Sequence, residues 1–240
     1  MYNKSIFHRL ELLLGKEIVS DISSKKVILF GVGGVGSWCA ESLIRSGIHH
    51  LTIVDPDVIC ITNLNRQLQT DTENIGRAKV DELKKRLKKI NPDAEIIALK
   101  KDYSQENFTD FNLYDYDYVI DAIDSLKNKI HLLKTCLSSN IKIFSSMGAA
   151  SRIDPTKVLT AKISKTFNCP LARRVRRALK KEKIYKEFIC VFSTEEAIKP
   201  IDKNDICDSK NIVNGTVAHI PAIFGFTLAG LVICDIKKAY

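Results

Sequence analysis

Low-complexity tracts, internal repeats and long Gly/Ser linkers are all absent from this chain of 240 residues. Repeat architectures and disordered tails are therefore excluded as readings of it. The N-terminal MYNKSIFHRLELLLG carries basic residues but no apolar run ending in a small-residue cleavage site. No signal peptide is expected, and a cytoplasmic location is. Seven cysteines stand at 39, 60, 136, 169, 190, 207 and 234, and no two of them form a CxxC pair. That spacing argues against a structural zinc site or a disulfide framework, and for mostly buried, reduced thiols. Acid is scarce in one place: between Lys162 and Lys186 there are ten Lys/Arg and a single acid, Glu182.

What is present is a soluble globular composition, 45% hydrophobic and 27% charged, with a net charge of +9. The length suits one large core. Residues 25 to 57, KKVILFGVGGVGSWCAESLIRSGIHHLTIVDPD, read as a βαβ unit. A strand over Lys25–Phe30, a glycine turn over Gly31–Gly36, a helix over Ser37–Ser46 and a strand over Leu51–Val54 are predicted. Glycines at 31, 33 and 36 permit a tight turn and close approach of backbone to a phosphate, and the helix N-terminus offers free N–H groups to an anion. Asp55, ending the second strand, is placed to accept ribose hydroxyls. These elements fit NAD as well as ATP.

The segment ITNLNRQ, residues 61 to 67, follows at the edge where open α/β folds bind ligands. It gathers Asn63, Asn65, Arg66 and Gln67, and a guanidinium there can clamp phosphate. Gly76 and Lys79 open a helix predicted to run to about Ile90. A lysine at a helix N-terminus works against the helix dipole, so its placement points to use on an anion. Lys84, Lys85, Lys88 and Lys89 read more simply as a solvated face. A strand over Glu95–Lys100 and another over Tyr118–Ala122 follow, with Asp121 and Asp124 at the end of the latter. Asp124, beyond the strand, is the candidate for magnesium, while Asp121 is expected to be structural. One more strand is predicted over Ile141–Ser145.

In the basic stretch, Arg173, Arg174, Arg176, Arg177, Lys180 and Lys181 recur at three- and four-residue spacing opposite Leu171, Val175, Ala178 and Leu179. The pattern is an amphipathic basic helix, readable as a solvated face or as a surface for a polyanion. Val217 to Cys234 carries no charge. It reads as a buried or dimer-forming helix starting after Pro221 rather than as a membrane span, which needs about 20 apolar residues. Cys190 is expected in a buried strand, and His131 and His219 as satisfied structural histidines.

Taken together, GVGGVG, Asp55, NLNRQ, GRAK and DAID resemble the ubiquitin-activating-like adenylyltransferase superfamily, which includes the molybdopterin- and thiamine-biosynthesis activating enzymes. GAASRIDPTKV, KISKTFNCPLARRVRRALKK and VFSTEEAIKP further resemble the tRNA threonylcarbamoyladenosine dehydratases, over nearly the whole chain. Asn168 departs from that pattern, which usually has an acid there. The resemblance implies an α/β, Rossmann-like, mostly parallel sheet with helices on both faces, completed by a C-terminal part that carries the basic helix. It implies one domain over 1–240, made of an N-terminal helix (1–24), a nucleotide-binding core (25–150) and a substrate-binding and dimer-forming part (151–240).

The resemblance further implies that Gly31, Gly33, Gly34 and Gly36 approach ATP, that Asp55 binds ribose, and that Asn63, Asn65, Arg66, Gln67 and Lys79 serve the nucleotide. Asp124 would hold Mg²⁺, and Arg66, Lys79 and Asp124 would be the catalytic set. Arg9 would reach the partner's ATP in a homodimer, and Arg173, Arg174, Arg176, Arg177, Lys180 and Lys181 would meet tRNA. The implied reaction is ATP-dependent cyclisation of the modified adenosine in the anticodon loop, with a sulfur-relay or other protein partner left open. The main alternative is adenylylation of a small sulfur-carrier protein, against which the missing CxxC pairs count. A silent scaffold would not need Arg66, Lys79 and Asp124, and a dehydrogenase would have no role for NLNRQ.

Overall fold

The computed structural model describes residues 5–198 and 215–240. Seven strands, β1 (Lys26–Phe30), β2 (His50–Val54), β3 (Glu95–Leu99), β4 (Tyr118–Asp121), β5 (Ile143–Ser146), β6 (Val158–Lys162) and β7 (Ile189–Ser193), form one sheet in the order β3-β2-β1-β4-β5-β7-β6. All neighbours are parallel except β6 and β7. The Rossmann-like architecture, helices on both faces and a C-terminal completion of the sheet are as expected. The chain leaves β1 for β2 on one side and reaches β4 on the other. The crevice therefore opens between β1 and β4, at their C-terminal ends.

Helices α1 (His8–Leu14) and α2 (Lys16–Ser24) replace the one expected N-terminal helix. Gly15 divides them at φ +85°, a conformation that glycine adopts without penalty. One face of the sheet is covered by α2, α3 (Gly36–Arg45), α4 (Lys79–Ile90) and α7 (His219–Lys237), and the other by α5 (Leu126–Ser138) and α6 (Pro170–Lys181). In α4 the buried Val80, Leu83 and Leu87 recur every three or four residues, and burying each contributes about 1.5–3 kcal/mol. In α6 the buried Ala172, Val175 and Leu179 do the same, and Pro170 opens the helix where no N–H is needed.

Helix α7 begins at His219, three residues before the start expected after Pro221. Pro221 lies in its first turn, where a missing N–H breaks no helical bond. It is long and apolar enough to cross a membrane by length and composition, yet half of it is buried in the body of the molecule. Gly225 lets it close on α3: a Cβ there would stand 2.4 Å from the Val35 carbonyl oxygen. Gly225→Ala would push the two helices apart.

Cys39, Cys136, Cys169 and Cys190 are buried thiols and Cys234 is exposed. Cys60 is disulfide-bonded, an exception to the reading of mostly buried, reduced thiols. Cys190 sits in β7 as expected, and burial pushes its thiol up to about 12, too high for a thiolate nucleophile at neutral pH.

Candidate functional site

The glycine turn is built by contact, not by composition alone. A Cβ on Gly36 would lie 1.8 Å from the Gly31 carbonyl oxygen, and one on Gly31 would lie 2.6 Å from that of Ala122. The turn after β1 is thus pressed against the loop after β4. Helix α3 starts there with Val35 as its N-cap, no side-chain cap and no acid in its first turn. The Ser37 amide is taken by the Gly33 carbonyl at 3.1 Å, so an anion would meet the amides of the turn on either side of it.

Asp55 ties this turn to β2. Its Oδ2 accepts from the Val32 amide at 2.8 Å and its Oδ1 from the Asp57 amide at 2.9 Å. Burial raises its carboxyl above the usual range, and the Lys79 charge and the two amide bonds recover part of that shift. Two glutamines complete the wall: Gln69 donates to the Val32 carbonyl at 2.9 Å, and Gln67 Nε2 lies 3.7 Å from where a Cβ on Gly33 would be. Both are buried, and both leave Oε1 without a partner among the described residues. An orphaned buried acceptor costs about 1–3 kcal/mol, so these amides fit a donor-bearing ligand such as a nucleotide.

The ITNLNRQ segment opens with a 3₁₀ turn at Ile61–Asn63, held by Asn63 Oδ1 accepting the Cys60 amide at 3.0 Å. Arg66 lies along Gly34, with Cγ 3.4 Å from where a Cβ would be, and donates to the Thr62 carbonyl and to Asn65 Oδ1. Asn65 in turn donates to the Thr216 carbonyl at 3.1 Å. Asn63 and Asn65 are therefore occupied in holding the loop. Lys79 is the first residue of α4, nearly buried, and pairs with Asp57 at 2.7 Å. Asp57, 60% exposed, is free to yield that ammonium to phosphate.

Asp124 stands exposed just before α5, without a hydrogen bond or ion pair among the described residues. Among those residues no three metal-ligating side chains cluster. A single carboxylate still suits Mg²⁺, which keeps its waters and takes its other ligands from phosphates. Asp121 is structural as expected. It is fully buried, and takes Lys129 Nζ and Ser145 Oγ at 2.6 Å each and the Ile123 amide at 3.0 Å. Lys129, fully buried, also donates to the Ser146 carbonyl. The pair fixes the loop that carries Asp124.

Arg9 is exposed on α1, whose Leu10 packs near Gly47 at the far end of α3. That is about 15 Å, the length of a ten-residue helix, from the glycine turn. Arg9 thus starts about one α3 length from the crevice of its own chain.

Along α6, Arg173, Arg174, Arg177, Lys180 and Lys181 are exposed. Arg176 instead turns inward and donates to the carbonyl and hydroxyl oxygens of Thr166. Asn168, the departure from the family pattern, adopts φ +52° and donates to the Thr194 carbonyl at 3.0 Å. Asn and Asp both tolerate that left-handed conformation, so the loop keeps its shape without the acid.

Gln69, Asp57 and Lys129 were not singled out by the sequence. Asp57 could have been, from the pair of acids in DPD. His131 and His219 are satisfied as expected, by Tyr103 Oη at 3.0 Å and the Ile153 carbonyl at 2.9 Å.

The ThiF family model matches residues 7–235. The chain belongs to the ThiF family. Within it, the chain is 42% identical to the tRNA threonylcarbamoyladenosine dehydratase of Bacillus subtilis, covering 97% of this chain and 94% of that one. A solved structure of the Escherichia coli tRNA N6-threonylcarbamoyladenosine dehydratase in complex with ATP superimposes with a TM-score of 0.87 at 31% identity, covering 97% and 94% of the two chains. The same enzyme in complex with AMP gives 0.87 at 29% identity, with 100% and 98% coverage. The family resemblance read from the motifs thus holds over almost the full length, and this ThiF-family chain is a dehydratase-type member of it.

Proposed function

We propose that this chain uses ATP to dehydrate threonylcarbamoyladenosine in the tRNA anticodon loop, closing a ring. The substrate's carboxylate attacks the α-phosphorus of ATP, expelling pyrophosphate and forming an acyl-adenylate. A ureido atom of the same side chain then attacks the activated carbonyl, AMP leaves with the former carboxylate oxygen, and a proton is lost. The two reacting groups are already tethered, an advantage worth up to about 7–11 kcal/mol when well oriented. No enzyme nucleophile is required, in keeping with the high Cys190 pKa.

The α3 amides and Lys79 are suited to the phosphates, Asp55 to the ribose, and Arg66 to charge developing on phosphorus. Gln67 is suited to a ligand donor. Asp124 would hold Mg²⁺, which when bound neutralises charge on the phosphates. Arg9 would complete the site from a second copy. Supporting a homodimer, α1 buries none of its residues in the single chain, and its Leu12 and Leu13 are 75% and 77% exposed. The exposed cations of α6, with residues 151–240 as the substrate part, would hold the tRNA backbone. A cytoplasmic setting goes with a tRNA substrate.

The observation that carries the reading is the meeting, at one sheet edge, of an uncapped helix N-terminus, the nearly buried Lys79 and two orphaned glutamine acceptors. The test is to incubate the protein with ATP, Mg²⁺ and threonylcarbamoylated tRNA and follow AMP release and a nucleoside lighter by one water. Arg66→Ala with Lys79→Ala should cut turnover by at least about 10²–10³-fold, the usual loss for one transition-state donor, while thermal unfolding stays cooperative. Full turnover in that folded double variant would overturn the proposal, and AMP attached to a carrier protein in place of the tRNA product would favour the sulfur-carrier alternative.

A further inference from the structure

A groove of about 280 Å³ runs between α5 and α6. From α5 it is lined by Lys127, Asn128, His131 and Lys134, and from α6 by Lys181 and Glu182. Positions 127, 131 and 134 fall four and three residues apart, so they form one stripe along α5. The small Ala178 on α6 leaves the gap open. The stripe begins three residues after Asp124, at the edge of the sheet where the crevice lies. At its other wall the groove joins the exposed cationic face of α6 through Lys181.

The charges in this groove are poorly matched as a device for stability. Lys127 meets Glu106 only at 3.7 Å, with both side chains at least 70% exposed, so water screens the pair. Lys134 takes Glu182 at 2.8 Å. Lys181 has no ion pair among the described residues. Three ammonium groups thus face one space with one firmly held carboxylate between them. His131 keeps Nδ1 against Tyr103 Oη, which leaves Nε2 as the nitrogen available to a ligand. The volume lies just below the roughly 300 Å³ at which small-molecule pockets begin, and the groove is open on its solvent side. A piece of a longer anionic chain fits it better than a separate small ligand.

We infer that this groove is a second RNA-backbone contact, leading the substrate chain from α6 towards the Asp124 loop, with Lys127 and Lys181 on phosphates and Asn128 and His131 as hydrogen-bonding partners. This rests on the tRNA reading above. It puts the RNA path across α5 rather than along α6 alone.

The test is equilibrium binding of tRNA to the full chain at several KCl concentrations, comparing the wild type with Lys127→Gln/Lys181→Gln. Lys134 is left in place so that Glu182 keeps its partner. The affinity should fall about fivefold at physiological salt. The slope of log affinity against log salt should lessen by about 1.4, from about 0.7 for each single-strand phosphate contact. ATP affinity and the thermal midpoint should not change. Lys127→Glu/Lys181→Glu should move tRNA binding further in the same direction. Unaltered tRNA affinity and salt slope in both double variants would overturn the groove. Binding does not depend on turnover, so an inactive wild type would sink the dehydratase reading while leaving this comparison to decide the groove by itself.

Discussion

Helices α4 and α6 are each 12 residues long, and each carries six lysines and arginines. They differ in how those charges are answered. In α4, Asp81 and Glu82 sit in the first turn, Lys85 pairs with Glu82, Arg86 with the buried Glu41, and Lys79 with Asp57. In α6 there is no acid at all, and only Arg176 is turned into the fold. Equal cation counts therefore describe two different surfaces, one with half of its cations answered by its own chain and one with almost none answered. The lesson is that charge density has to be read with its counter-charges before it is assigned to a ligand.

The largest effect is expected where α4 meets the crevice. If the Lys79 end of α4 belongs to the nucleotide, removing the acceptor beside it should harm ATP and spare tRNA. Asp55→Asn should weaken ATP binding about 10- to 100-fold, the value of a hydrogen bond to a charged group. The same variant should remove an acid limb. Burial raises the Asp55 carboxyl, so on acidification it gains its proton above the ordinary carboxylate value of about 3.9. Wild-type ATP affinity should fall from that point downward, and the Asp55→Asn variant should lack the inflection. For stability the sign is reversed: a raised carboxyl favours the folded state below its folded pKa and loses that contribution as pH rises through it. Titration calorimetry across pH decides this, and equal ATP affinity in the two proteins would remove Asp55 from the ribose site.

An intermediate effect should separate the two helices directly. Arg173→Ala/Arg177→Ala/Lys180→Ala on α6 should raise the apparent KM for tRNA roughly tenfold, from about 0.5 kcal/mol per exposed contact, and lessen its salt slope by about 2. Lys84→Ala/Lys85→Ala/Lys89→Ala on α4 should leave both unchanged. Arg176 is omitted from the α6 set because its loss would disturb the Thr166 turn. Equal shifts from the two triple variants would mean that net charge alone governs tRNA capture, and the distinction between the helices would be lost.

Much of this arrangement is legible without coordinates, for identifiable reasons. The βαβ unit, the glycine turn, Asp55 and the basic helix depend on contacts within a few dozen residues, where periodicity and turn chemistry carry the information. The amphipathic period of α6 even gives its buried face, Val175 and Leu179 included. Lys129 is not legible, because its partner Asp121 and the Ser146 carbonyl come from two neighbouring strands brought together only by sheet order. Arg176 shares the period of the exposed arginines, and only the fold of 163–166 shows that it turns inward. Gly15 hides in a short helical pattern that reads as continuous. The amides of Asn63 and Asn65 are the opposite case, since polar residues near a ligand edge invite a ligand role while the local loop claims their hydrogen bonds first.

The smallest effect probes why α4 is quiet. Glu41 lies on α3 and is only 7% exposed, and it accepts from both Arg86 and Arg45. Burial pushes its carboxyl up, but the bonds from Arg86 and then Arg45 outweigh that and leave it below the ordinary carboxylate range. A depressed carboxyl contributes stability above its unfolded pKa, about 4.3, and loses it as pH falls through the folded value. Glu41→Gln should therefore lower the thermal midpoint at neutral pH, and the gap to the wild type should close as pH falls from the unfolded value through the folded one. Both arginines are about half exposed and can turn to water when the carboxylate is gone, so the loss belongs at the low end for such bonds. About 1 kcal/mol, or about 2–4 °C in a chain of this size, is expected. A neutral-pH midpoint equal to the wild type's would show that the Arg86 charge is masked by solvent rather than by Glu41. The silence of the α4 surface would then rest on its own first-turn acids alone.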